Sequence, residues 1–213
     1  MNIKLYTIFT DSHKPFLDEL VKSYPFKDNV DLNIRRVSQE CETGEYNTKG
    51  FETTMKRKVE YIIDALQELQ DGDLMIYADA DIIFLKPFKD FIIKQMGDYD
   101  LAFQSDWGNV CMGFFVCRVN SNTKDLFNRL LPELPNHAHD QDAINHLLKI
   151  SKFNLKIKLF PSEIYNYGFT GKHYHGEDNV TYPENIILLH ANFAVGLNHK
   201  LKLIDLAKKQ FNL

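Results

Sequence analysis

Asp79 and Asp81, one residue apart, close an apolar run in the stretch Leu74-Met-Ile-Tyr-Ala-Asp79-Ala-Asp81-Ile-Ile-Phe-Leu85, which reads as a buried strand. Two ionised carboxylates at such a strand end are costly to desolvate unless a cation or a set of donors compensates them. Mg²⁺ or Mn²⁺ carrying a diphosphate would supply the counter-charge. The plainer alternative is a turn whose acids bond backbone amides, although a turn alone does not call for two acids flanking an alanine. A second cluster, Asp140-Gln141-Asp142, opens a helical pattern continued by Ala143, Ile144, Leu147 and Leu148. Its acids could serve only to cap the helix and complement its positive end. His137 and His139 form an H-x-H pair with no cysteine or third ligand close in sequence, which favours a solvated loop over a second metal site.

These groups need a scaffold, and the chain reads as an α/β one. Ile3 to Phe9 alternates toward a strand that Thr10-Asp11-Ser12 ends, and a short helix with Phe16, Leu17, Leu20 and Val21 follows. Val30 to Val37 alternates as a second strand, and Phe51 to Leu69 carries Met55, Val59, Ile62, Ile63, Leu66 and Leu69 at helical spacing. Gly72 and Asp73 turn the chain into the strand that delivers Asp79. Strands are expected at Leu101 to Gln104, Met112 to Val119, Leu155 to Phe160 and Asn185 to His190. Helices are expected over Thr123 to Leu131 and Asp140 to Ile150, separated by a Pro132 to Pro135 linker. Ser162 to Pro183, rich in Tyr, Gly, His and Asn without steady period, reads as a long loop or lid. The fold class expected is a Rossmann-like α/β domain spanning 1–213, with a mixed, mostly parallel central sheet flanked by helices.

A chain of 213 residues with 44% hydrophobic and 25% charged residues suffices for one sizeable core. Its 25 basic residues against 29 acidic ones give a net charge of −4, which offers no general footprint for nucleic acid, so a phosphate partner must be bound locally. Cys41, Cys111 and Cys117 are odd in number and lack metal-ligand spacing, which points to a reducing compartment such as the cytoplasm. Neither a signal peptide nor a membrane span is read from the sequence, and the Asn179-Val-Thr181 sequon is taken as incidental. The chain is expected to work as a monomer or within a longer multidomain protein.

Ala-Asp79-Ala-Asp81 after a buried strand resembles the DxD motif of GT-A nucleotide-sugar glycosyltransferases. Other segments resemble that group in the same chain order: Gln104-Ser105-Asp106, the Gly113 strand, His139-Asp140-Gln141-Asp142-Ala-Ile-Asn145, and His190-Ala-Asn192 with Gly196 and Lys200 downstream. The pattern is similar to the nucleotide-diphospho-sugar transferases that include retaining galactosyl- and xylosyltransferases, with bacterial galactosyltransferases and glycogenin more distant. In length it also resembles viral capsid-glycan glycosyltransferases.

The resemblance implies a metal, Mn²⁺ or Mg²⁺, held by Asp81 and His190, with Asp79 either completing the coordination or touching the nucleotide ribose. It implies that Lys200, and Lys58 with Arg57, face the diphosphate, though a run of basic residues is more often a solvated face. Asp106 resembles the acid that hydrogen-bonds the donor sugar, and Gln141 the glutamine near its reacting face in retaining relatives. Asp140 and Asp142 would contact donor or acceptor hydroxyls, with Asn192 beside them. Trp107 could stack an acceptor ring, or simply pack at a rim. Gly113 matches an Asn-x-Gly strand, but Cys111 stands where Asn is expected. Thr7, Thr10 and Asp11, at the end of the first strand, are the expected seat of a uracil base by fold analogy. The partners implied are a UDP-sugar, chiefly a UDP-hexose, and a hydroxyl of a glycan or glycoprotein. Two competitors stand beside this reading: a metal-dependent nucleotidyl or phosphoryl transferase, for which no glycine-rich phosphate loop is evident, and a donor-binding scaffold or glycan-binding module without turnover.

Overall fold

The computed structural model describes residues 1–24, 30–41, 45 and 48–213. Alternation of side chains builds its centre. In β3 (Leu74–Ala78), Leu74, Ile76 and Ala78 face one way and Met75 and Tyr77 the other, and all five are buried. That double burial places β3 inside a six-stranded sheet of order β2-β1-β3-β6-β5-β7. Its other members are β1 (Ile3–Phe9), β2 (Asp31–Arg36), β5 (Leu101–Asp106), β6 (Asn109–Arg118) and β7 (Ile157–Leu159). β6 alone runs against the rest, so the sheet is mixed but mostly parallel, in keeping with its apolar pattern.

One face of this sheet is covered by α2 (Phe51–Glu68), α4 (Ser121–Glu133) and α5 (Asp140–Ile150). Val59, Ile62 and Leu66, then Phe127 and Leu130, then Ile144 and Leu147 meet Tyr6, Met75, Tyr77, Phe103 and Phe115 there. The opposite face receives Leu20 of α1 (Lys14–Ser23) and Ile92 and Met96 of α3 (Lys89–Met96). Each such side chain, withdrawn from water, contributes about 1.5–3 kcal/mol. A smaller sheet of order β4-β9-β8 comprises β4 (Ile82–Phe84), β9 (Leu188–His190) and β8 (Ile164–Asn166). The C-terminal α6 (Leu197–Phe211) buries Leu203, Ile204 and Ala207 in the cluster that also takes in Ile83, Tyr165 and Leu189.

The stretch Leu74 to Leu85 is therefore two strands in two sheets rather than one. The amide of Asp79 still donates to Gly113 O of β6 at 2.7 Å, but Ile82 N turns back to Asp79 O at 3.2 Å and Asp81 O accepts from Ala191 N at 3.0 Å. The backbone thus changes pairing partner within the acidic triplet. The Ser162 to Pro183 segment also differs from a simple lid. It contains β8 and a 3-10 turn, Tyr167–Thr170, and it buries Tyr165, Tyr167, Tyr174 and Tyr182. Those rings supply core, which is why the segment lacks an amphipathic period. Pro132 falls inside the last turn of α4, and a further 3-10 turn, Leu134–Asn136, replaces the expected linker. Among the described residues no helix is long and apolar enough to cross a membrane.

Candidate active site

The change of sheet at Ala78 to Ile82 brings Asp79 and Asp81 against His190, the last residue of β9. One ligand atom from each of Asp79, Asp81 and His190 lies within 4.8 Å of the others, and among the described residues this is the only grouping of three such side chains. The imidazole is aimed by its far side. His190 Nδ1 lies 2.7 Å from Gln104 Oε1, while Gln104 Nε2 donates to Tyr165 O at 3.1 Å, which fixes the amide orientation and gives the proton to Nδ1. Nε2 is left facing Asp81 Oδ1 at 3.3 Å. Gln104 is fully buried on β5, so the clamp is built into the core.

Gly113 shapes the space in front of these groups. A side-chain carbon at that position would stand 2.2 Å from His190 Cε1 and 3.0 Å from Asp79 Oδ2. Two carboxylates, one correctly presented imidazole and a wall kept free of side chain fit a hard divalent cation, with the nitrogen favouring Mn²⁺ over Mg²⁺.

Counter-charges within the fold hold the acids. Lys58 Nζ, buried on α2, sits 3.0 Å from both Asp79 Oδ1 and Asp140 Oδ2. Burial disfavours this ammonium, but the two carboxylates outweigh it and raise its pKa. Tyr77 donates its hydroxyl to Asp79 Oδ1 at 3.1 Å, and burial keeps that phenol protonated. Lys200, in the first turn of α6, pairs with Asp81 Oδ2. The two acids consequently diverge. Burial, opposed by Lys58 and reinforced by Asp81, lifts Asp79 above the usual carboxylate range. Burial is overcome at Asp81 by Lys200 and His190, which hold it well below that range. For His190, burial would lower the pKa, but Asp81 dominates with help from Cys111, and the imidazole is pushed up to about 10.

A second group adjoins through α5 and β5. Gln141 Nε2 donates to Asp106 Oδ2 at 2.7 Å, and Asp140 Oδ1 accepts from Gln141 N at 2.9 Å. Asn145 clamps the start of β6 by exchanging hydrogen bonds with Val110 N at 3.1 Å and Val110 O at 2.9 Å. Asp106 Oδ1 and Asn166 Oδ1 are buried with no hydrogen-bond partner in the protein.

Of the residues singled out in the sequence, Asp79, Asp81, His190, Lys58, Lys200, Asp140, Gln141, Asp106 and Gly113 are thus joined by direct contacts. Asn192 lies close by, its Oδ1 accepting from Gly168 N at 3.4 Å. The end of β1 is more self-contained than expected. Thr7 Oγ1 is buried and its hydroxyl turns to Ile8 O, Thr10 Oγ1 meets Ser12 Oγ and His13 Nδ1 at 3.2 Å each, and Asp11 makes a two-pronged exposed pair with Arg36 at 2.8 Å. Arg57 does not join the cluster. It points to solvent and pairs with Glu60 at 2.8 Å, because it sits one position off the buried stripe that carries Lys58. Asp142 is also solvent-facing, 3.5 Å from His139 Nδ1. His137 lies against His146, the rings tilted by 45° with centroids 4.9 Å apart, the behaviour of a loop histidine.

In the sequence Gln104 stands out only as a motif residue, and its role in holding His190 depends on contacts between strands 86 residues apart. His13 and Tyr77 join the site without any signal of type or spacing, whereas Asn166 comes from the Tyr-, Gly- and Asn-rich 162–183 segment read as a loop or lid. His13 is close enough to feel the charges of Asp81, Lys200 and Asp79, with burial the main cause of its lowered pKa. Cys111, which replaces the expected Asn, is buried and accepts from Gly113 N at 3.4 Å.

The chain belongs to the nucleotide-diphospho-sugar transferase family, whose model matches residues 22–204. No curated protein matches it significantly by sequence. Solved structures share its fold at low identity. A glycosyltransferase involved in the glycosylation of the major capsid of PBCV-1 is 12% identical with TM-score 0.62, over 98% of this chain and 100% of that one. The galactosyltransferase LgtC, in complex with donor and acceptor sugar analogs, is 13% identical with TM-score 0.58, over 97% and 96%. Mouse xyloside xylosyltransferase 1 is 10% identical with TM-score 0.52, over 93% and 99%. This likeness identifies the α/β architecture as GT-A-like.

Proposed function

We propose that residues 1–213 act as one catalytic domain that transfers a sugar from a UDP-sugar, chiefly a UDP-hexose, to a hydroxyl of a glycan or glycoprotein, with Mn²⁺ or Mg²⁺ as cofactor and retention of anomeric configuration. The observation that carries this reading is the meeting of Asp79, Asp81 and His190 around a space that Gly113 keeps open. When bound by these three side chains, the cation supplies positive charge to the diphosphate leaving group.

The rest of the work falls to this chain's own groups. Lys200, already held against Asp81, carries a cation on a flexible stem that can turn to the phosphates. Lys58 ties Asp79 to Asp140, fixing the start of α5 relative to the acidic turn. Asp106 and Gln141, bonded to each other, offer a free carboxylate oxygen and an amide oxygen to sugar hydroxyls. The retaining outcome is supported by Gln141, a residue that can stabilise a developing cation by its dipole but cannot serve as a general base. The complex of LgtC with donor and acceptor analogs supports a donor-plus-acceptor reaction for a fold of this kind.

The test is Asp81→Asn. It should abolish Mn²⁺-dependent turnover across a panel of UDP-glucose, UDP-galactose and UDP-xylose while circular dichroism stays native. Full activity in the variant would remove the metal role. Tight UDP binding by the unaltered protein with no turnover of any donor would instead favour a scaffold that binds without catalysis.

A further inference from the structure

Asp106 and Asn109 face each other across the β5–β6 hairpin, which leaves Trp107 and Gly108 as a two-residue turn. Their φ angles are 53° and 86°, the doubly left-handed pattern of a type I′ turn. Glycine and asparagine adopt it readily, whereas a tryptophan there is a backbone outlier, and such strain gathers at functional sites. The ring gains no core packing in return, for Trp107 is 65% exposed. It stands beside Gly171, where a side-chain carbon would come within 3.4 Å of the indole, and Phe169 of the same segment is also partly exposed. Immediately before it in the chain, Asp106 keeps one carboxylate oxygen on Gln141 and the other buried without a partner.

We infer that Trp107 is the specificity-determining platform for the acceptor, and that the acceptor presents a sugar ring there rather than a peptide side chain. The inference rests on the transferase reading above and adds to it the chemical class of the second substrate. A pyranose or furanose offers a flat C–H face to an exposed indole while its hydroxyls reach polar acceptors at the edge, here the free oxygen of Asp106. A peptide acceptor would call instead for paired backbone groups or a deep side-chain pocket. The strained turn has a mechanical rationale as well, because a two-residue link holds the indole on the residue next to Asp106, at the tip of a paired hairpin.

Trp107 is the only tryptophan in the chain, so its emission reports the site directly. The unaltered protein is titrated with lactose, maltose, mannobiose and xylobiose in the presence of Mn²⁺ and UDP, and UDP binding is measured separately by calorimetry. At least one disaccharide should shift the emission saturably. Trp107→Asn should raise the melting temperature by about 2–4 °C, by relieving the turn in a domain of this size, and weaken that disaccharide's calorimetric affinity about tenfold. Trp107→Tyr should retain most of the affinity. UDP binding with emission indifferent to every disaccharide at millimolar concentration would overturn the inference and leave the donor site standing. An Asn variant that binds the disaccharide unchanged would overturn it too. Failure of the unaltered protein to bind UDP or any UDP-sugar would instead strike the transferase reading.

Discussion

Around Asp79, Asp81 and His190, the charges are answered from within the fold by Lys58, Lys200 and the protonated imidazole. A few residues away, Asp106 and Asn166 bury oxygens that nothing in the protein answers. The first arrangement is preorganised: its side chains are oriented before any ligand arrives, and a cation would enter by exchanging with charges already present. The second is unfinished, and its desolvated acceptors lower the stability of the free protein by roughly 1–3 kcal/mol each. A ligand that satisfies them recovers that cost. On the proposed reading, the acidic turn would govern whether the nucleotide end is held, and the Asp106 side which sugar is accepted.

Substitutions at the two ends should separate these roles. The largest effect after Asp81→Asn is expected from Gly113→Ala, whose methyl would occupy space 2.2 Å from His190 Cε1. Mn²⁺ binding measured by electron paramagnetic resonance should be lost while Asp106 and Gln141 remain in place. Retained Mn²⁺ affinity would show that the cation lies elsewhere. Gln104→Leu should come next, weakening Mn²⁺ by about 10- to 100-fold, the usual cost of releasing the partner that orients a metal-bound histidine. An unchanged calorimetric isotherm would mean that packing alone holds the ring.

Metal affinity should also depend on pH. Asp81 pushes the His190 imidazole up to about 10 from an ordinary value of 6.5, so at neutral pH it holds a proton that a bound metal would displace. Affinity should therefore rise with pH by up to about tenfold per unit, and proton release should appear as a buffer-dependent binding enthalpy. An affinity flat from pH 6 to pH 8 would contradict this. The smallest effect is reserved for Arg57→Ala. Its exposed pair with Glu60 is worth at most about 1 kcal/mol, so UDP affinity and melting temperature should scarcely move. A large loss of UDP affinity would return Arg57 to the phosphate site.

The N-terminal half is legible in the sequence because its elements repeat their period for long enough. β1, β2 and α2 fall within a residue of their expected bounds, and α1 carries the four apolar residues expected of it. The three-residue strands β4, β8 and β9 are too short to show alternation, and their apolar residues merge with their neighbours. α3 is hidden although Phe88, Ile92 and Met96 carry a helical spacing, since Pro87 just before them reads as a break. In the site, the acids and His190 can be named from type and order. The division between Lys58 and Arg57 is harder, yet one clue exists: Lys58 shares a helical stripe with Ile62 and Ala65, while Arg57 shares one with Glu60. The clamp of Gln104 on His190 leaves no local trace, because only folding brings β5 and β9 together.

The acidic turn is also where one hydrogen-bonding framework hands the chain to the other, with Asp79 bonded to β6 and Asp81 to the residue after β9. The single alanine between them is thus a structural dimension as much as a chemical spacing. An insertion there would do more than move one ligand away from the other: it would put the small sheet out of step with the large one, so the length of this joint is pinned from both sides at once.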